Sequence, residues 1–296
     1  MRIFDCFMYL DEDVVLDLRL NYLNSYVDKF VIVESNFTHS GKKRKLNFDI
    51  KNFEKFKDKI IYLTLDREPP DIQNINDSDN EESKNSKYIL NGMKRDFYQR
   101  NFIINGLNQS DDSDFILVSD LDEIPKLDNF DFNSVKKKFI FFKQKMFYYK
   151  FNLCSESVTW TGTRGCRKKD LKSPQWLRNI KDKSYPLWRL DIIFSKNKYS
   201  NIHFIEDGGW HFSYIKTPED IEKKLKSYAH HREYDLDALG LEKIKKKIEN
   251  KESIYDLQTD MKTSKFKSGQ KLIVTEMNEL PNYIKNNLNK YKQWLE

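Results

Sequence analysis

An apolar run that stops on acid constrains this chain more than any other feature. Phe115-Ile116-Leu117-Val118 is followed by Ser119-Asp120-Leu121-Asp122-Glu123-Ile124-Pro125. The four apolar residues read as a short buried strand, and three carboxylates then emerge together at the edge of a sheet. Side chains alternate along a strand, so Asp120 and Asp122 point the same way while Leu121 turns back to the core. Oxygen donors of this kind suit Mg2+ or Mn2+ rather than zinc, and Pro125 ends the ladder. An acidic turn closing a core strand is the plain alternative, because a bare Asp-x-Asp arises easily in a chain with 46 acidic residues.

Other apolar runs supply the frame. Residues 2–9 read as a first strand, and Asp11 is the expected cap of a helix through Val14, Val15, Leu18, Tyr22, Leu23 and Tyr26. Phe30-Val31-Ile32-Val33-Glu34-Ser35 is a second strand ending in a carboxylate and a hydroxyl. A short helix at 53–57 and a third strand at 60–65 follow. The Asp-, Asn-, Ser- and Pro-rich stretch 66–86 reads as an exposed insertion. A helix over 93–107, with Phe97, Phe102, Ile103 and Ile104 inward, leads into the acidic strand. This order predicts an α/β fold that binds ligands at the carboxyl ends of its strands.

Further on, 139–142 and 145–151 read as aromatic strands, and 155–189 as a Trp-, Arg- and Gly-bearing recognition region. A strand pair at 202–205 and 210–214 is joined through Glu206-Asp207-Gly208-Gly209, whose glycines allow a turn and close approach to a ligand. Thr217-Pro218-Glu219-Asp220 starts a helix running through Leu225 towards His230. The remainder is basic and helical apart from a strand at 271–274. The expected division is a main domain over 1–235 and a basic, mainly helical C-terminal extension over 236–296.

The net charge of +6 is spread along the chain, with lysine runs at 42–45, 136–138 and 245–247. No nucleic-acid-binding module accompanies it. Cys6, Cys154 and Cys166 form no framework, and no segment approaches the ~20 apolar residues that cross a bilayer. A soluble cytoplasmic protein is the expectation, with peripheral membrane contact through its basic face.

A series of motifs in order resembles glycosyltransferase family 17, whose members include the enzymes that add the bisecting N-acetylglucosamine to N-glycans. The motifs are Arg19-Leu20-Asn21, Val27-Asp28-Lys29-Phe30-Val31-Ile32-Val33-Glu34-Ser35, Arg95-Asp96, Gln99-Arg100-Asn101 and Ser119-Asp120-Leu121-Asp122-Glu123-Ile124-Pro125. Trp160-Thr161-Gly162-Thr163, Leu177-Arg178, Gly208-Gly209-Trp210-His211-Phe212-Ser213-Tyr214 and Ser227-Tyr228-Ala229-His230 continue the series to about residue 235. Asp96 departs from it, standing where a glutamate is expected.

The resemblance implies a GT-A-like, mostly parallel sheet flanked by helices. It also implies a UDP-sugar donor, most naturally UDP-N-acetylglucosamine, a glycan or glycoconjugate acceptor, and Mn2+ or Mg2+. Asp122 and His211 are then the metal ligands and Glu123 their orienting neighbour. Asp120, Glu34, Arg100 and Arg178 are donor-binding residues, with Arg164 a third arginine for the phosphates. Inversion at the anomeric carbon needs a general base, for which Asp207, then Glu206, are the candidates. Trp160 and Trp210 offer stacking faces or belong to the core. Two other readings compete: a Mg-dependent haloacid dehalogenase-like phosphotransferase, which needs a nucleophilic aspartate near the first strand, and a non-catalytic glycan or anionic-surface binding module.

Overall fold

The computed structural model describes residues 1–296 apart from 187, 193, 257–265, 267 and 268. Three adjacent parallel pairings build its first half. β1 (Ile3–Tyr9) lies between β2 (Lys29–Ser35) and β4 (Phe115–Asp120), and β3 (Ile60–Leu65) borders β2. Helix α1 (Asp13–Leu23) connects β1 to β2, and α2 (Glu81–Phe102) precedes β4. Beyond β4 the sheet changes direction. The long strand β7 (Leu153–Arg167) runs antiparallel to both β4 and β6 (Phe139–Tyr148). The expectation of a mostly parallel sheet therefore becomes a mixed α/β sheet, because β6 and β7 are joined closely enough to form a hairpin-like antiparallel pair.

The strands at 202–205 and 210–214 do not pair with each other. β8 (Ile202–Ile205) and β9 (Gly209–Ser213) both lie parallel to β6, one after the other along its edge. The short strand β5 (Glu123–Pro125) then pairs antiparallel with β9. Gly209 is needed there, at φ +125°, because a Cβ would collide with the Ile124 carbonyl. The backbone it admits is that of β5, not that of a ligand. β10 (Ile273–Val274) pairs with β7 at the place expected for a strand.

Strand alternation divides the core. Phe7, Tyr9, Phe30, Ile32, Leu117 and Phe142 pack on the α1 side, joined by Leu280, Ile284 and Tyr291 from the C-terminal segment. Phe4, Cys6, Val31, Val33, Ile116 and Val118 pack on the other side with Ile103, Leu107 and Leu177. Tyr148, Tyr214 and Leu153 build a third cluster with α4 (Pro218–Leu225), α5 (His231–Leu236) and α6 (Leu241–Glu249).

Helix starts differ in detail from the sequence reading. Asp11 does not cap α1; its carboxylate holds Lys216 at 2.6 Å, and the cap position is Glu12. α2 begins at Glu81, capped by Asn80, inside the stretch read as an insertion. Its buried face carries Asn91, Gly92, Gln99 and Arg100, while Phe97 and Phe102 are half-buried and Ile104 is exposed. A polar buried face on a helix beside a sheet edge marks a site rather than a core. Among the described residues, no helix is long and apolar enough to cross a membrane.

Candidate active site

A cavity of about 400 Å³ opens at the carboxyl ends of β1, β2 and β4. Its floor carries Tyr9, Ser35, Asp120 and Asp122. Trp160 of β7, His211 and Ser213 of β9, Lys224 of α4 and the turn 227–230 face them. Strand ends with outward carboxylates are where open α/β sheets bind ligands. Asp120 and Asp122 both face the cavity as expected, but through a turn at Leu121 and Asp122 and not by alternation along a continuing strand.

Tertiary pairing brings Asp122 and His211 together. β4 ends at Asp120, the chain turns through Leu121 and Asp122, and β5 places Glu123 opposite His211. Phe212 N donates to the Asp122 carbonyl at 2.8 Å, which fixes the turn against β9. His211 Nε2 lies 3.5 Å from Asp122 Oδ1, and Lys224 Nζ lies 3.5 Å from Oδ2. Burial disfavours the charged carboxylate, but Lys224 and His211 outweigh it and hold Asp122 well below the usual range. Burial likewise opposes a charged imidazole, yet Asp122 raises the His211 pKa above its ordinary value. Among the described residues, no group of three or more His, Cys, Asp or Glu forms a ready-made metal cage.

Asp120 is held differently. Arg100 Nη2 reaches its Oδ1 at 3.0 Å and Arg178 Nη2 its Oδ2 at 3.3 Å. Burial works against its charge, and these two guanidinium groups lower its pKa in spite of that. Glu123 is fully buried and acts as a hub. Arg178 donates to both its oxygens at 2.8 Å, Trp160 Nε1 at 2.7 Å and the Asp120 amide at 2.9 Å. Glu123 therefore orients the acidic turn.

Several expected roles shift. Arg100 lines the cavity, but its fork is committed to Asp96 at 2.9 and 3.0 Å as well as to Asp120. The Arg178 fork is committed to Glu123, so neither arginine is a free phosphate clamp. Arg164 stacks 4.7 Å from the Phe141 ring and donates to the carbonyls of Arg178 and Ile180, a structural task. Glu34 is fully buried and accepts from Arg44, the Asn47 and Phe48 amides and Tyr62, which ties down the loop after β2 rather than a nucleotide. Glu206 and Asp207 are exposed and do not line the cavity; Asp207, at φ +48°, pairs with Lys126 at 2.5 Å. The proposed base is therefore turned away. Trp210 is a core residue whose Nε1 bonds the Glu279 carbonyl at 2.7 Å, whereas Trp160 lines the cavity 5.5 Å from the His211 ring.

Two charged residues went unassigned in the sequence. Glu12, just before α1, holds Lys224 at 3.1 Å. Lys224 lies three residues after Ile221 and one before Leu225, both fully buried, so the helical period places it beside the buried stripe of α4. That spacing was a usable signal.

The haloacid dehalogenase-like reading loses its nucleophile. Asp5, the aspartate of β1, is fully buried in a bidentate pair with Arg19 at 2.8 and 2.6 Å.

The profile of glycosyltransferase family 17 matches residues 1–296, past the point near 235 where the recognised motifs end. The β-1,4-mannosyl-glycoprotein 4-β-N-acetylglucosaminyltransferase of Homo sapiens is 28% identical over 232 residues, which cover 72% of this chain and 40% of that protein. The proteins of that name from Rattus norvegicus and Mus musculus match to the same extent. The chain thus spans less than half the length of these relatives. With the family profile matched from residue 1 to residue 296, this chain belongs to glycosyltransferase family 17.

Proposed function

We propose that the chain is a metal-dependent, inverting glycosyltransferase that moves N-acetylglucosamine from a UDP-sugar to a hydroxyl of a glycan or glycoconjugate, on a GT-A-like scaffold. Membership of the family and the names of the relatives support the transferase class. The observation that carries the site is the Asp122–His211 pair at 3.5 Å, at the carboxyl end of a parallel strand and open to the cavity.

The donor set fits Mn2+ or Mg2+. Asp122 would offer a carboxylate oxygen and His211 an imidazole nitrogen to the ion. Charge gives a second reason. The carboxylates of Glu12, Asp96, Asp120 and Asp122 outnumber the cations Arg44, Arg100 and Lys224 on the cavity wall. A diphosphate entering this wall meets net negative charge until a divalent cation reverses it. When bound, the ion stabilises the charge that grows on the departing nucleoside diphosphate. In this reading Asp120 contacts the donor ribose or sugar, and Trp160 offers an aromatic face beside it. Glu123, Arg100 and Arg178 hold Asp120 in place.

The test is UDP release from a panel of UDP-sugars with Mn2+, Mg2+ or chelator, comparing the parent with Asp122→Asn and His211→Ala. Metal-dependent turnover of UDP-N-acetylglucosamine that collapses in both variants supports the reading. A parent that neither binds nor turns over any nucleotide sugar returns the chain to the class of glycan-binding modules.

A further inference from the structure

With Asp207 and Glu206 facing away from the cavity, an inverting transfer needs another base, and the carboxylates on the wall are poorly suited to it. Lys224 sits on Glu12 at 3.1 Å, Arg100 on Asp96 and Asp120, and Asp122 is shared between Lys224 and His211. A carboxylate stabilised by a buried cation is a weak proton acceptor. The imidazoles differ. His211 faces Asp122, and His39 spends its Nε2 on Gln99 Oε1 at 3.0 Å. His230 Nδ1 lies 3.1 Å from Glu233 Oε1, and its Nε2 makes no hydrogen bond among the described residues. His211 also has a carboxylate on one nitrogen, but its unpartnered Nδ1 is buried and beyond the reach of an acceptor. The His230 side chain is 45% exposed and lines the cavity, so an acceptor can reach it.

The turn that carries His230 is built to hold its place. The Ser227 carbonyl accepts from Ser40 N at 3.2 Å. The Ala229 carbonyl packs on Gly92 of α2 so closely that a Cβ there would stand 2.5 Å from it. On the far side Arg232 Nε donates to Asn85 at 2.6 Å. A solvent-facing histidine has no use for three such anchors; a base that must meet an acceptor hydroxyl does.

We propose that His230, oriented by Glu233, is the general base of the transfer, an assignment that rests on the glycosyltransferase reading above. The acceptor oxygen forms a bond to the anomeric carbon of the donor while the bond from that carbon to the diphosphate oxygen breaks. The hydroxyl proton passes to His230 Nε2, and the nucleoside diphosphate leaves with the electron pair. Glu233 fixes the ring and stabilises the imidazolium that forms.

The experiment uses the full chain with Mn2+, UDP-N-acetylglucosamine as donor and water as acceptor, because a base placed for a sugar hydroxyl also serves water. His230→Asn is expected to slow UDP release about 10²- to 10⁴-fold, with calorimetric UDP affinity unchanged. Glu233→Gln should slow it about tenfold, and added imidazole should restore part of the rate in His230→Gly. A His230→Asn rate within about threefold of the parent overturns the assignment. Loss of UDP affinity in step with the rate overturns it too, making His230 a donor-binding or structural residue. A parent that binds no UDP overturns the underlying reading, which the binding measurement separates from a failure of His230.

Discussion

Arg19 and Asp5 form a fully buried bidentate pair, and the same guanidinium holds the acidic turn from beneath. Its Nη1 donates to the carbonyls of Asp120, Leu121 and Glu123 at 3.2, 3.0 and 2.8 Å. The turn that presents Asp120 and Asp122 is thereby tied to α1 rather than left as a loop. Arg19→Met removes the partner of a buried charge and should cost about 3–5 kcal/mol in chemical denaturation. Arg19→Lys should restore little, since an ammonium lacks the fork. The double variant Arg19→Met, Asp5→Leu should recover much of the loss, and failure to do so would mean that the carbonyl contacts dominate.

Asp207→Asn and Glu206→Gln are expected to leave UDP release within about threefold of the parent, because both side chains face solvent. Asp122→Asn should lower it by about 100-fold or more and remove its response to metal. A collapse in Asp207→Asn would restore that residue as the base and count against His230.

The raised pKa of His211 gives a pH signature. A group whose folded pKa lies above its unfolded value of about 6.5 adds stability below that pH, and the contribution fades as pH rises through the folded value. The deficit of His211→Gln relative to the parent, read as melting temperature from pH 5 to 9, should therefore be largest at the acidic end. Asp122 behaves oppositely: its lowered pKa adds stability above about pH 4, lost only as pH falls through the folded value. Mn2+ affinity should rise with pH over the His211 window, because ligation needs the neutral imidazole. A deficit constant across the range would mean that His211 acts through packing alone.

Gly92→Ala ought to strengthen an exposed helix by about 1 kcal/mol. Here the added methyl meets the Ala229 carbonyl, so the variant should instead be less stable and slower in UDP release, with the turn 227–230 displaced. Melting and turnover measured on one preparation decide the sign.

Chelation supplies a complementary check on the charge argument. Removing divalent metal should weaken UDP binding by about tenfold or more in the parent, since the acidic wall then repels the diphosphate. Equal calorimetric affinity with and without chelator would show that Lys224 and Arg44 suffice.

Much of this protein is determined by local sequence. The runs at 30–35 and 115–118 fold as strands because each must bury successive side chains on two faces, and the half-buried run at 60–65 borders the first of them at the sheet edge. Alternation then sends Phe7 and Phe30 to one layer and Cys6 and Val31 to the other. Thr217-Pro218 starts α4 through a local cap, with Asp220 N bonded to Thr217 Oγ1. The position of the acidic turn follows in the same way. What only the tertiary structure decided is who stands beside each charge. Arg178 meets Glu123 across 55 residues of chain, and Arg100 and Lys224 reach Asp120 and Asp122 from separate helices. Asp207 and His211 are four residues apart, yet one turns to solvent at positive φ while pairing of β9 with β5 and β6 turns the other inward. Propensity and periodicity are properties of neighbours along the chain, whereas partner choice is fixed by the minimum of desolvation and Coulomb energy over the packed whole.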